Sequence, residues 1–314
     1  MRDKNHIMKI IVTGGAGFIG SHIVDAYIAA GHRVIVIDDL SNGFRKNVHP
    51  KARFYKTNIN DAKAVRNIFQ KERPEIVNHH AAEISVAESL REPAIAFGTN
   101  VLGMANVLDA FGAYGKGKNK KFIFSSSAAV YGEPKKIPAD EHAPLRSLSP
   151  YGLSKLLGEE MVEFYARNFG FNFLIFRYAN VYGPRQNSHG EAGVVAIFGR
   201  LMKGDARPTI FGDGTKGRDY IHVSDVVAAN KAALTKGKNE IVNIGTGTVV
   251  NDRAVFEAIA KGTDFEREPQ YAPYRKGEVY RITLDSRKAK QVLSWRPKKV
   301  FTQGIREMFK NRNS

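Results

Sequence analysis

Cysteine is absent from the 314 residues, and tryptophan occurs once. Without a thiol, disulfides, thiolate catalysis and cysteine-ligated zinc or iron–sulfur centres are all excluded. No apolar run approaches the ~20 residues that span a bilayer, so no membrane partner is expected. Acidic residues are scarce beside basic ones, 31 Asp+Glu against 48 Lys+Arg, for a formal net charge of +17. The opening Met1–His6 is basic, but the apolar run after it stops at Thr13-Gly14-Gly15. That pattern fits no signal peptide, so a cytoplasmic protein is expected.

The positive excess invites a nucleic-acid reading. Much of it lies in two clusters. One holds Lys116, Lys118, Lys120 and Lys121. The other, residues 288–314, holds Lys288, Lys290, Arg296, Lys298, Lys299, Arg306, Lys310 and Arg312 against Glu307. Neither has regular aromatic interleaving. They read as solvated faces, and no nucleic-acid partner is expected.

What is present is a globular composition, 43% hydrophobic and 25% charged, on a chain long enough for one large α/β domain or two ordinary ones. Strand and helix patterns alternate through the first half. Strands are expected at Ile10–Val12, Arg33–Ile37, Phe54-Tyr55, Glu75–Asn78, Lys121–Ser125 and Asn172–Phe176. Helices are expected at Phe18–Ala30, Asp61–Lys71, Ala94–Tyr114 and Pro150–Asn168. Strands separated by helices pair in parallel, which predicts a doubly wound α/β sheet of Rossmann type. After Gly183 the rhythm loosens. Asp225–Leu234, Ile241–Ile244 and Asn251–Ala260 still alternate and suggest a smaller C-terminal α/β lobe. The expected division is 8–183, with strand and helix contributions from later segments, and 184–314.

Gly14, Gly17 and Gly20 are spaced GxxGxxG between the first strand and the first helix. There a glycine triplet lets the chain turn tightly, admits a pyrophosphate and seats the helix close on the strand. The helix N-terminus favours the anion. Asp38 ends the second strand, where a carboxylate accepts from a ribose 2′-hydroxyl and repels a 2′-phosphate. The cofactor implied is NAD. Asn58, Ile59, Ala81 and Ala82 follow the third and fourth strands and are candidate contacts. Phe18, Ile19 and Asn42 complete this end of the site.

Tyr151 and Lys155 are four apart at the start of a predicted helix, with Ser149 as N-cap and Pro150 at N1. A nearby ammonium favours a phenolate, so the pair suits acid–base work on an alcohol or ketone. Ser125, Ser126 and Ser127 end the fifth strand, where a hydroxyl can share that proton. His79 and His80 are adjacent on a strand and face opposite ways, so no metal site is read.

Six stretches together resemble the extended short-chain dehydrogenase/reductases, and within them the nucleotide-sugar 4-epimerases. They are Val12–Gly20, Ser125–Gly132, Ser149–Lys155, Arg177–Arg185, Gly217–Val223 and Leu293–Pro297, and the likeness runs from residue 8 to about 300. The resemblance implies NAD-dependent 4-epimerisation of a UDP-hexose, UDP-glucose or UDP-galactose, through a transient 4-keto sugar. It makes Tyr151 the base, Lys155 its partner on the nicotinamide ribose, and Ser127 the bridge to the sugar O4. It places Asn100, Ser125 and Tyr178 near the cofactor. Asn180 would contact the diphosphate, Val195 and Phe211 would border the uracil, Arg218 and Arg275 would clamp the diphosphate, and Glu278 would hold the uridine ribose. It also implies a homodimer through the helices near 94–114 and 151–168, with Ala94, Phe97, Val101, Ala105 and Leu108 as an apolar face.

Some positions depart from the family pattern. Ala128 and Ala129 stand where sugar dehydratases carry acids, which weakens dehydratase and decarboxylase readings. Asn58 replaces a usual Asp, and Glu278 a common one. Ile282 is intermediate in size at the expected sugar pocket wall. A UDP-glucuronate or UDP-N-acetylglucosamine 4-epimerase is therefore an alternative, and a non-catalytic Rossmann protein binding RNA is a rival of another class.

Overall fold

β-Branched residues dominate the runs Lys9–Thr13 and Arg33–Asp38, and both become strands buried beyond their first residue. The structure, a computed structural model, describes residues 6–114, 120–188, 193–275 and 279–310. Lys116, Lys118, Glu278 and Arg312 lie outside the described residues. The first half runs β1 (Lys9–Thr13), α1 (Phe18–Ala29), β2 (Arg33–Asp38), β3 (Arg53–Lys56), α2 (Ala62–Glu72), β4 (Ile76–His79), α3 (Val86–Arg91), α4 (Pro93–Phe97), α5 (Met104–Ala113), β5 (Lys121–Ser127), α6 (Pro150–Phe169) and β6 (Asn172–Tyr178). The second half runs β7 (Asn180–Tyr182), α7 (Val194–Lys203), β8 (Thr209–Phe211), β9 (Gly217–Arg218), β10 (Tyr220–His222), α8 (Val223–Ala233), β11 (Glu240–Ile244), β12 (Val250–Asn251), α9 (Asp252–Thr263), β13 (Gln270–Ala272), α10 (Arg287–Leu293) and α11 (Phe301–Lys310).

Seven parallel strands form the main sheet in the order β11-β6-β5-β4-β1-β2-β3. This is the doubly wound sheet expected. Ile10 and Val12 face one buried cluster and Ile11 the other, so helices cover both faces. Strand order reverses between β1 and β4, whose registers align Thr13 with His79. The crevice at that reversal, beyond the strands' C-terminal ends, is where such sheets bind ligands.

Two of the three elements that suggested a second lobe return to this sheet. β11 pairs with β6, and α8 packs on α1. What remains apart is a smaller core of Tyr182, Val195, Phe198, Ile210, Phe256 and Phe301 among others.

The helix expected at Ala94–Tyr114 is not uniform. Gly98–Gly103 form a π-helical segment between α4 and α5. The helical run Pro93–Ala113 is long and apolar enough to cross a membrane by length and composition, contrary to the expectation. Its Ala96, Gly103, Met104, Val107, Leu108 and Phe111 are buried against the rest of the protein, as in a core helix. Leu108 therefore belongs to the interior and not to an outer face.

Candidate functional site

Every turn of chain at the crevice has a local reason. Gly14 adopts φ +69°, and a Cβ there would lie 2.6 Å from the Ala81 nitrogen. At Gly20 a Cβ would lie 2.2 Å from the Gly14 carbonyl oxygen, so only glycine lets α1 sit this close to the turn. Gly17 is the N-cap of α1. It offers no side-chain cap, and no acidic residue stands in the first turn. The helix thus presents unsatisfied N–H groups and the positive end of its dipole to the crevice.

The crevice opens into one cavity of about 1340 Å³. The glycine turn lines it with Phe18, Ile19, Asp38, Asn42, Asn58 and Ile59. Ala81, Ala82, Ser125, Ser127, Tyr151, Lys155 and Tyr178 continue its wall. Asn180, Val195, Phe211, Arg218, Arg275 and Ile282 close the other end. Asn100 is the exception among the described candidates. It sits in the π segment, 3% exposed, and its amide is consumed holding the Glu83 main chain and the Ser154 hydroxyl. It shapes the wall without lining it. Candidate Glu278 falls outside the described residues.

Asp38 accepts from the Ala16 and Leu40 amides, both at 2.9 Å. Burial pushes its carboxyl up against these bonds. Each oxygen keeps a lone pair for a ribose hydroxyl. Asn58 donates to Asp39 and accepts from the Asn60 amide. The uncapped helix, the room at Gly17 and the strand-end carboxylate fit the pyrophosphate and ribose of NAD.

Ser149 caps α6 by accepting from the Gly152 amide at 3.1 Å, with Pro150 in the first turn, as the sequence predicts. This cap fixes Tyr151 and Lys155 on one face. The Lys155 ammonium donates to the Ser125 carbonyl at 2.9 Å and lies 5.9 Å from the centre of the Tyr151 ring. Burial lowers it to about 7. Tyr151 hydrogen-bonds Ser127, yet burial outweighs that bond and raises the phenol above its ordinary value. This differs from the lowered phenol expected of a Tyr–Lys pair, because desolvation opposes both charges.

The lysine shift has a consequence for stability. The unfolded chain holds more protons than the folded one between about pH 7 and ~10. Stability therefore rises with pH across that window, and below it the full cost of a buried ammonium remains. Lys155→Met removes the cost. In thermal melts of cofactor-free protein, it should be more stable than the parent at pH 6, with an advantage that shrinks by pH 9. A pH-independent difference would sink this reading.

Sequence reasoning missed several residues that hold the site. Between Ser125 and Ser127, the Ser126 hydroxyl donates to Glu159, which pairs with Arg177 through Nε at 2.9 Å and Nη2 at 2.6 Å. Asp219 does not pair with neighbouring Arg218. It turns inward and accepts from the amides of Thr246, Gly247 and Leu284. Arg218 is left lining the cavity, its Nη1 on the Gly217 and Tyr280 carbonyls. The Arg275 guanidinium lies 3.6 Å from the centre of the Phe211 ring. His79 contacts Thr13 at 2.8 Å, whereas His80 contacts the Tyr178 hydroxyl at 3.3 Å. Among the described residues no group of three metal-ligating side chains occurs.

Residues 10–245 match the NAD dependent epimerase/dehydratase family. The chain belongs to this family. The likeness of this epimerase/dehydratase chain to individual proteins extends over nearly all of it. It is 38% identical to a UDP-glucose 4-epimerase of Mycolicibacterium smegmatis, covering 98% of this chain and 100% of the relative. A UDP-glucose 4-epimerase from Thermotoga maritima, solved with UDP-glucose, superposes with a TM-score of 0.93 at 46% identity, covering 96% of this chain and 97% of that one. One from Thermus thermophilus, solved with NAD, gives 0.90 at 39% identity over 97% and 100%. The Gly14–Gly20 turn and all of the seven-stranded sheet but Lys9 fall inside the family match, whereas Arg275, β13, α10 and α11 lie beyond it.

Proposed function

We propose that the protein is an NAD-dependent 4-epimerase interconverting UDP-glucose and UDP-galactose. One observation carries this reading: a single cavity holds a glycine cradle, a Ser127–Tyr151–Lys155 cluster and two guanidiniums, Arg218 and Arg275. Bound NAD would supply the hydride acceptor for C4 of the sugar and, once reduced, the hydride donor to the opposite face of the 4-keto carbon. Tyr151 takes the O4 proton as its phenolate, a form that burial disfavours here and that the positive charges beside it, Lys155 and a bound nicotinamide ring, would restore. Ser127, bonded to that phenol, passes the proton and orients O4. Lys155 stabilises the negative phenol electrostatically. Arg218 and Arg275 hold the diphosphate, so the 4-keto sugar can turn without leaving and present its other face. Tyr151 then returns the proton. Ala128 and Ala129 follow Ser127 and supply no acid, so the chemistry stops at epimerisation.

Incubation with UDP-galactose, UDP-glucuronate and UDP-N-acetylglucosamine in separate reactions tests this. The expected result is UDP-glucose from the first at a rate far above the other two. Turnover of the glucuronate alone overturns the substrate assignment. Ile282, 5% exposed, lies at the cavity wall, and the third reaction reads whether that wall admits an N-acetyl group.

A homodimer is part of the proposal. Leu102 of the π segment and Leu153, Leu157 and Phe164 of α6 are exposed, and a second copy would cover them. Light scattering should give the mass of two chains, and Leu102→Glu with Phe164→Glu should halve it. A monomeric parent at micromolar concentration overturns this. A cytoplasmic location follows from the same reading, because NAD and UDP-sugars are charged metabolites that do not cross bilayers unaided. The basic surface is read as attracting such anions and not RNA. Filter binding of RNA that saturates at physiological salt would reverse that.

A further inference from the structure

Helix α1 does more than cradle a pyrophosphate. One turn and two turns beyond its first residue, its side chains reach the segment 183–188, which leaves β7 and runs along the cavity. The His22 Nε2 donates to the Pro184 carbonyl at 2.9 Å. Burial holds this imidazole low, so it is neutral and has one N–H to give. Arg185 bonds Asp25 through Nη2 at 2.7 Å, with both side chains about one-third exposed. These contacts hold a backbone that is unfavourable by itself. Arg185 adopts φ +66°, which a non-glycine residue seldom keeps without support from its surroundings.

The far end of the same segment faces the cavity. Arg185, Gln186 and Asn187 line the cavity beside Asn180. Gln186 is fixed by donating from Nε2 to the Val181 carbonyl at 3.2 Å. Its Oε1 is buried and has no partner among the described residues. The segment is pinned at its start by Tyr182, 1% exposed, whose hydroxyl donates to the Phe301 carbonyl. At its end the Ser188 carbonyl accepts from Arg200 Nε at 3.1 Å. Between those pins, the two α1 contacts tie it to the cofactor half of the protein.

We propose that Asp25 and His22 are positioning residues for the sugar nucleotide, acting through the 183–188 strap. The proposal rests on the reading that a UDP-sugar fills this end of the cavity. It adds a direct mechanical tie between the helix that receives the cofactor and the strap that meets the substrate. A partly exposed ion pair supports an effect of modest size.

Asp25→Ala in the NAD-loaded enzyme should raise KM for UDP-glucose about fivefold, with kcat changed less than twofold and bound NAD unchanged. Asp25→Asn keeps an acceptor for Arg185 and should recover part of the loss. Amide hydrogen exchange in 183–188 should quicken in Asp25→Ala and stay near the parent in Asp25→Asn. A purely structural role would lower the melting temperature and leave KM alone. Unchanged KM, unchanged exchange, or loss of NAD in step with KM each overturn the proposal. If the parent turns over no UDP-sugar, the proposed function falls. The strap is then judged by UDP affinity in calorimetry, which Asp25→Ala should weaken by a similar factor and which, if equal in both proteins, rejects it.

Discussion

Tyr151→Phe is expected to lower kcat about 1000-fold while the purified protein keeps its NAD. Loss of a general acid–base group costs ~100- to ~10,000-fold, and a factor of 1000 is about 4 kcal/mol of barrier. The middle of that range is reasonable here for a physical reason. Tyr151 is half-buried on the cavity wall and bonded to Ser127, so without its hydroxyl the proton must pass to solvent with no positioned acceptor. Lys155 has its ammonium tied to the Ser125 carbonyl, 5.9 Å from the centre of the Tyr151 ring. Phenylalanine keeps the ring and its packing and deletes only the hydroxyl. Cofactor content and melting temperature should stay at parental values. A variant turning over within tenfold of the parent would remove Tyr151 from the chemistry, and with it the assigned mechanism.

Much of this site was legible because its signals are local. The turn at Gly14–Gly20, the cap at Ser149 and the four-residue step from Tyr151 to Lys155 each express a constraint within a few residues. The parallel pairing of the strands followed from the strand–helix alternation and the handedness of crossovers. The rest was illegible because it depends on residues distant in sequence. Asp219 follows Arg218 directly, and adjacency in the sequence does not say where its carboxylate goes. In the fold its carboxylate meets the Thr246, Gly247 and Leu284 amides, and that turns Arg218 toward the cavity. Asn100 looks like any polar residue on a long helix, until the π segment aims its amide at Glu83. Leu108 sits at a spacing that suits an outer face, yet the same π segment shifts the phase of the helix after it and buries Leu108. The membership of β11 in the main sheet is likewise a matter of pairing with β6, which no periodicity encodes.

Glu159 and Arg177 carry the second large expectation. Both side chains are 3% exposed, one on α6 and one on β6, and neither stood out in the sequence. Their bidentate pair also receives the Ser126 hydroxyl, and Arg177 Nη1 donates to the Tyr131 hydroxyl at 2.9 Å. Glu159→Ala leaves a guanidinium buried with no counter-charge, at a cost of about 3–5 kcal/mol. For a chain of this size that loss lowers the melting temperature by roughly 10 °C. Glu159→Leu combined with Arg177→Met removes both charges and should regain most of that stability, since matched apolar replacements of buried pairs are often neutral. Activity should not return with it. The double variant still lacks the acceptor that anchors Ser126, the neighbour of Ser127, so kcat should stay several-fold down while NAD content matches the parent. A single Glu159→Ala variant melting within about 2 °C of the parent would show that water already reaches the pair. A double variant with parental kcat would show that the strand end holds Ser127 in place without Glu159.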